Sequence, residues 1–173
     1  MPESTSLVHR FWALIQARRW REAEALLAPQ ACCRWWSSRE RFDGAAAIIH
    51  VNEVYPAGWT IQLLELLPLQ QGRVLSLVRV DHGEAGFYAH SHFQIAAGRI
   101  QAIDEYWSDV QEPPAWRTRP EAPLLGHSRT AADRREGLPL VLDAPQPLPD
   151  SDGNGLAPAA GNATDSAARK RPA

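Results

Sequence analysis

The stretch Gly86 to Val110, GFYAHSHFQIAAGRIQAIDEYWSDV, decides how this chain is read, because it spells two strands joined by a tight turn. Ala97-Gly98 is the turn: aromatic and β-branched residues flank it, and a glycine at its second position supplies the positive φ of a two-residue hairpin connection. By strict alternation Ala96 pairs with Arg99, Ser91 faces Asp104, His90 faces Glu105 and Tyr88 faces Trp107. One face then carries Phe87, Ala89, Ser91, Phe93, Ile95, Ile100, Ala102, Asp104 and Tyr106; it is mostly apolar and is expected to be buried. The other carries Tyr88, His90, His92, Gln94, Gln101, Ile103, Glu105 and Trp107. No other stretch holds titratable groups so densely, so any chemistry is expected here.

The chain of 173 residues is 45% hydrophobic, enough for one sizeable core plus extensions. Every Phe and Tyr and six of the seven Trp precede Val110, so the core is expected to end near there. A net charge of −2 gives no basis for a nucleic-acid or membrane-surface partner. The start, MPESTSLVHRFWALIQ, lacks a basic region ahead of an apolar core, and no apolar run approaches the length of a membrane span; a cytoplasmic protein is expected. Cys32 and Cys33 are adjacent, and two neighbouring thiols without further Cys make no zinc site, so both read as packing residues on a strand.

In chain order, Ser4, Thr5 or Ser6 can cap a helix whose stripe is Leu7, Val8, Phe11, Leu14 and Ile15. A second short helix through Ala23, Leu26 and Leu27 is expected to end at Pro29. Ala31 to Trp36 alternates as a strand, RERFDG reads as a turn, and Asp43 is placed to cap a third helix that Pro56-Ala57-Gly58 stops. Two more strands, Trp59 to Leu67 and Arg73 to Asp81, flank a Pro68 to Gly72 turn and lead into the opening hairpin. The pattern predicts an α+β domain in which helices gather on one face of a curved antiparallel sheet.

Ten of the fourteen prolines follow Gln111, which places a boundary near Thr118 between a domain over residues 1–117 and a Pro/Ala-rich tail over 118–173 expected to be disordered. Trp116 is the last residue able to anchor against the core. Within the tail only GLPLVLDAP is an exception, since Leu138, Leu140, Val141 and Leu142 can dock along a sheet edge.

LVHRFWALIQARRW, the ERFDG turn before a helix, VRVDHG and above all GRIQAIDEYW resemble the nuclear transport factor 2 superfamily, specifically its bacterial SnoaL-like branch, over roughly residues 6–117. The resemblance implies a cone whose concave sheet and helices enclose a small apolar pocket. Members of that superfamily include ketosteroid isomerase, limonene-epoxide hydrolase, polyketide cyclases and non-catalytic binding modules, so the fold does not name a reaction. The cyclases' catalytic aspartate, seven residues after the turn glycine and directly before an aromatic, falls on Glu105; the accompanying histidine falls on Ser91, between His90 and His92. With Ser91 at the histidine's place, the cyclase reaction needs a bulge that brings His90 or His92 inward; simple alternation also sends Glu105 and Ser91 to opposite faces, so either the register slips near Asp104 or the two cannot share a site.

On this reading Glu105 is either a proton acceptor whose pKa an apolar cavity raises, with His90 or His92 as partner, or a structural carboxylate accepting hydrogen bonds or pairing with Arg79. His90 and His92 have an H-x-H spacing but no convincing third ligand, and neither a metal nor a cofactor is expected. Trp36 and Tyr55 are the aromatics expected at the pocket mouth, with Trp107 also near it; Asp104 and Tyr106 fall on the apolar face, where a buried Asp needs partners. Two readings result: a cofactor-independent acid–base enzyme (isomerase, cyclase or hydrolase) acting on a small apolar ligand, or a non-catalytic pocket or homodimerisation module that pairs through Tyr88, His90, His92 and Gln94 on the outer sheet face.

Overall fold

The computed structural model of the chain describes residues 3–121, 124–126, 128 and 137–142. Helix α1 (Glu3–Gln16) buries Val8, Phe11, Trp12, Leu14 and Ile15, the stripe its periodicity demands plus one indole. Arg18 ends the helix in a left-handed conformation (φ 60°); its backbone N–H donates to the Ile15 carbonyl, and its guanidinium donates to the carbonyls of Ile15 and Gln16 and to that of Trp59 at 2.6 Å. Helix α2 (Trp20–Ala25) is short, and β1 (Leu27–Trp35) begins sooner than expected: Leu27 pairs with Ile100 instead of extending the helix. Pro29 lies inside β1, in the gap between Leu27 and Cys32 where the ladder is interrupted, so its missing N–H breaks no pairing.

The RERFDG segment is no mere turn. Glu40–Asp43 forms β2, antiparallel to β1, and α3 (Ala45–Val54) follows. Asp43 does not cap α3; it pairs with Arg41 at 2.8 Å, while Gly44 (φ 91°) occupies the cap position. Tyr55 then turns extended, as the residue before a proline must, and the helix stops.

Strands β3 (Trp59–Pro68), β4 (Arg73–His82), β5 (Ala85–Ala96) and β6 (Arg99–Asp109) form the expected meander. The six strands run β2-β1-β6-β5-β4-β3 in one curved sheet. It is mixed and not wholly antiparallel, because β1 lies parallel to β6. The helices cover one face, where Phe11, Trp12 and Phe93 meet edge to face at 5.5–6.0 Å. Trp12 Nε1 donates to Ser76 Oγ at 3.0 Å, which satisfies two polar atoms in the middle of this core.

The central hairpin departs from strict alternation. Ala97 and Gly98 are both at positive φ (49° and 69°), the turn that matches strand twist. Ala96 pairs with Arg99 and Ile95 with Ile100, but Gln94 pairs with Ala102, leaving Gln101 as an extra residue in β6. Its side-chain amide donates to the Ala96 carbonyl at 2.9 Å. Beyond this bulge every β6 side chain changes face: Ile103 and Glu105 are buried inward with Trp107, whereas Asp104 and Tyr106 point outward. The expectation that Asp104 and Tyr106 share the apolar face is thereby corrected.

Trp116 does not tuck against the core; it is 58% exposed, with the Arg117 guanidinium over its ring. Most of the expected tail, including residues 143–173, lies outside the described residues. The exception made for Leu138 to Leu142 is described: Leu138 N–H donates to the Leu63 carbonyl on the edge strand β3, His9 Nε2 donates to the Pro139 carbonyl at 2.8 Å, and Leu140 and Leu142 pack against the core.

Candidate functional site

Between α1, α3 and one end of the sheet's inner face lies a cavity of about 320 Å³, within the range of small-molecule sites. Its walls are aromatic: Trp12 from α1, Trp35 from β1, Trp59 from β3, Phe87 from β5 and Trp107 from β6, with Tyr55 at the mouth. Ser37, Ser38, Glu40, Asn52 and Asp109 supply the polar lining.

Glu105 lies behind this wall, 5% exposed. Trp35 Nε1 and Trp107 Nε1 donate to its Oε2 at 2.6 and 3.1 Å, and Ser91 Oγ donates to its Oε1 at 2.9 Å. The two indoles stand edge to face at 6.0 Å and separate the carboxylate from the cavity they line. Burial pushes the Glu105 carboxyl above its ordinary value, and the hydrogen bonds from Ser91, Trp107 and Trp35 oppose that shift without cancelling it. The arrangement can store a proton in an apolar wall and fix the orientation of two indoles. For direct proton transfer one indole has to move aside, because both oxygens are already engaged.

No family model matches the chain, and no curated protein matches it either. Solved structures do match. A candidate ketosteroid isomerase of Kribbella flavida DSM 17836 superposes with a TM-score of 0.66 at 22% identity, over 78% of this chain and 96% of that one. The chain has the nuclear transport factor 2-like, SnoaL-like fold. An M. tuberculosis LEH-like epoxide hydrolase (TM-score 0.53, 16% identity, 61% and 83% of the two chains) and a candidate SnoaL-like polyketide cyclase of Shewanella putrefaciens CN-32 (0.54, 10%, 62% and 90%) share it. At these identities the likeness concerns the fold alone.

In this nuclear transport factor 2-like sheet the bulge at Gln101 is the register slip that brings Ser91 and Glu105 together, a little earlier in the strand than Asp104. The histidines go the other way. His90 and His92 are exposed on the outer face, His92 with its ring 6.2 Å from that of Tyr106, and no bulge turns either inward. Arg79 is also on that side: it is buried, donates to Asp81 Oδ1 and Tyr88 Oη at 3.0 Å each, and does not reach Glu105, which corrects the pairing considered for them. Trp36 is 49% exposed and lines an outer depression of about 330 Å³ with Arg34, Arg73, His92, Asp104 and Tyr106, so it is not a wall of the inner cavity. There Asp104 accepts from Arg34 Nε at 2.6 Å, Arg34 Nη2 at 2.8 Å and Trp36 Nε1 at 2.8 Å. Burial works to raise the Asp104 pKa, but the Arg34 and Trp36 donors, the Arg34 charge and His92 outweigh it and hold the carboxylate below its ordinary value.

Trp35 is the wall residue that the linear reading missed in favour of Trp36. The signal was parity: Ala31, Cys33 and Trp35 alternate inward on β1, leaving Arg34 and Trp36 outward. Among the described residues no group of three His, Cys, Asp or Glu converges as a metal site, and no helix is long and apolar enough to cross a membrane.

Proposed function

We propose that the chain is a small-molecule pocket domain whose inner cavity takes a compact, largely apolar ligand, with Glu105 as the group that supplies acid–base chemistry if a reaction occurs. The observation that carries this reading is a raised-pKa carboxyl held directly behind two indoles that wall a 320 Å³ aromatic cavity. Displacement of Trp107 by a bound ligand would expose Glu105 Oε2, whose contact with Trp107 is the longer of its two indole contacts. The enzymatic form of the proposal is a cofactor-independent isomerase, cyclase or hydrolase; its binding-only form keeps Glu105 as the residue that orients the indoles.

The test has two readouts on the full chain: binding of ketones, epoxides and polyketide-like compounds by calorimetry, and turnover with pH–rate profiles for the wild type and Glu105→Gln. Turnover lost in Glu105→Gln with binding kept supports the enzyme. Binding without turnover in either protein supports the pocket alone, and equal turnover in both removes Glu105 from the mechanism.

A second reading concerns the outer face, where Trp36 and Tyr106 are each 49% exposed beside His90 and His92. An aromatic and polar face of this kind suits self-association through the sheet. Sedimentation of the wild type and Tyr106→Glu tests it: a wild-type dimer that the substitution dissociates supports the face as the contact, and a wild-type monomer rules it out.

A further inference from the structure

The inner cavity is acidic as well as aromatic. Its lining contains Glu40 and Asp109 and no Lys, Arg or His. Both carboxylates are exposed at the cavity's rim, at one end of the sheet: Glu40 is the cross-strand partner of Trp35, and Asp109 that of Phe87. Among the described residues neither forms an ion pair, although Arg19, Arg34, Arg41 and Arg79 all find carboxylates elsewhere.

The ring faces answer the same description. Trp35 and Trp107 both direct their indole N–H at Glu105 Oε2, and donation to an oxygen acceptor polarises the indole toward a more negative ring face. The chain already shows what such rings accept, since the Arg18 guanidinium lies 3.3 Å from the centre of the Trp59 ring. That guanidinium is tied to the carbonyls of Ile15, Gln16 and Trp59 and does not line the cavity. The other aromatic side chains lining the cavity are Trp12, Trp35, Tyr55, Phe87 and Trp107, and two carboxylates border the same space.

From this juxtaposition of indole walls with unpaired Glu40 and Asp109, we infer that the cavity selects an amphiphilic organic cation, a tertiary or quaternary ammonium carrying an apolar group, over neutral or anionic molecules of the same shape. The ammonium carbons contact ring faces, the charge lies toward Glu40 and Asp109, and the apolar group fills the inner end beside Val80 and Ile61. The inference rests on the cavity being a ligand site and narrows the class of ligand.

Calorimetric titration of the full chain at low salt with phenyltrimethylammonium, its uncharged isostere tert-butylbenzene and the anion benzenesulfonate tests it. The cation is expected to bind about ten-fold tighter than the isostere, the effect of one desolvated cation–π contact of ordinary strength. The double variant Glu40→Gln, Asp109→Asn, whose melting curve reports its folding, should lose most of that preference, read as the ratio of its affinities for the cation and the isostere. An isostere or anion that binds as tightly as the cation overturns the cation class and leaves the pocket standing. Failure of all three probes to bind overturns the pocket reading and the inference together. A preference that survives unchanged in the double variant overturns the role of the two carboxylates.

Discussion

Ser91 and Glu105 stand directly opposite each other on β5 and β6, and the Ser91 hydroxyl donates to Glu105 Oε1 at 2.9 Å with both residues buried. Ser91→Ala therefore leaves one carboxyl oxygen inside the protein without its donor. The expected loss is about 1–3 kcal/mol, the usual cost of an orphaned buried polar group. Urea denaturation of the two proteins measures it, and a loss under about 0.5 kcal/mol would mean that water reaches that oxygen.

Glu105→Gln isolates the pH dependence of the same site. A glutamine can place its carbonyl oxygen at the two indole N–H groups and donate its amide to Ser91, so it imitates the protonated acid. Burial raises the Glu105 pKa in the folded state, so between the ordinary glutamate value of 4.5 and the raised one the folded protein binds more protons than the unfolded chain. Stability from this group is thus present below about pH 4.5 and falls as pH rises through the window. Denaturation from pH 4 to 8 should show Glu105→Gln gaining on the wild type as pH increases; parallel curves would contradict it.

The neighbouring carboxylate behaves oppositely. Asp104 is held below its ordinary pKa of 3.8, so its contribution is present above that value and is lost as pH falls through the depressed one. Asp104→Asn should cost less than about 1 kcal/mol at pH 7, because the pair with Arg34 is partly exposed. It should also flatten the acid limb of the stability curve. An acid limb identical to that of the wild type would assign the sensitivity to another carboxylate.

Residues 137–142 are expected to contribute to stability. A Cβ added to Gly137 would lie 2.5 Å from Gln62 Cγ and 2.9 Å from the Leu63 carbonyl oxygen, so the segment approaches β3 as closely as only glycine permits. Excising these residues, or Gly137→Val alone, should lower the melting temperature by about 4 °C, which corresponds to at least about 1 kcal/mol of docking. Unchanged melting in both variants would show that the docking contributes nothing measurable.

How far the chain could be read in one dimension differs from element to element. Helix α1 and the strands β3 to β6 were legible because each is long and carries its own period, and a period survives whatever packs against it. β2 was not, since four residues hold too little pattern to outweigh a turn-like ERFDG. The pairing of β1 beside β6 joins segments separated by β2, α3, β3, β4 and β5, and no local signal announces it.

The sequence alone determined the α+β class, the central hairpin and its Ala97-Gly98 turn, because turn chemistry and side-chain alternation are local properties; Glu105 was singled out by the resemblance to the cyclases and not by those patterns. Tertiary structure decided which side of the sheet each of those groups occupies. One extra residue, Gln101, reverses the facing of everything after it, and with it Ile100 and Ile103, whose spacing of three puts them on opposite faces of a regular strand, are both buried. That reversal carries Glu105 and Trp107 into the wall and Asp104 and Tyr106 out of it, and leaves His90 and His92, the most suggestive pair in the linear reading, facing solvent.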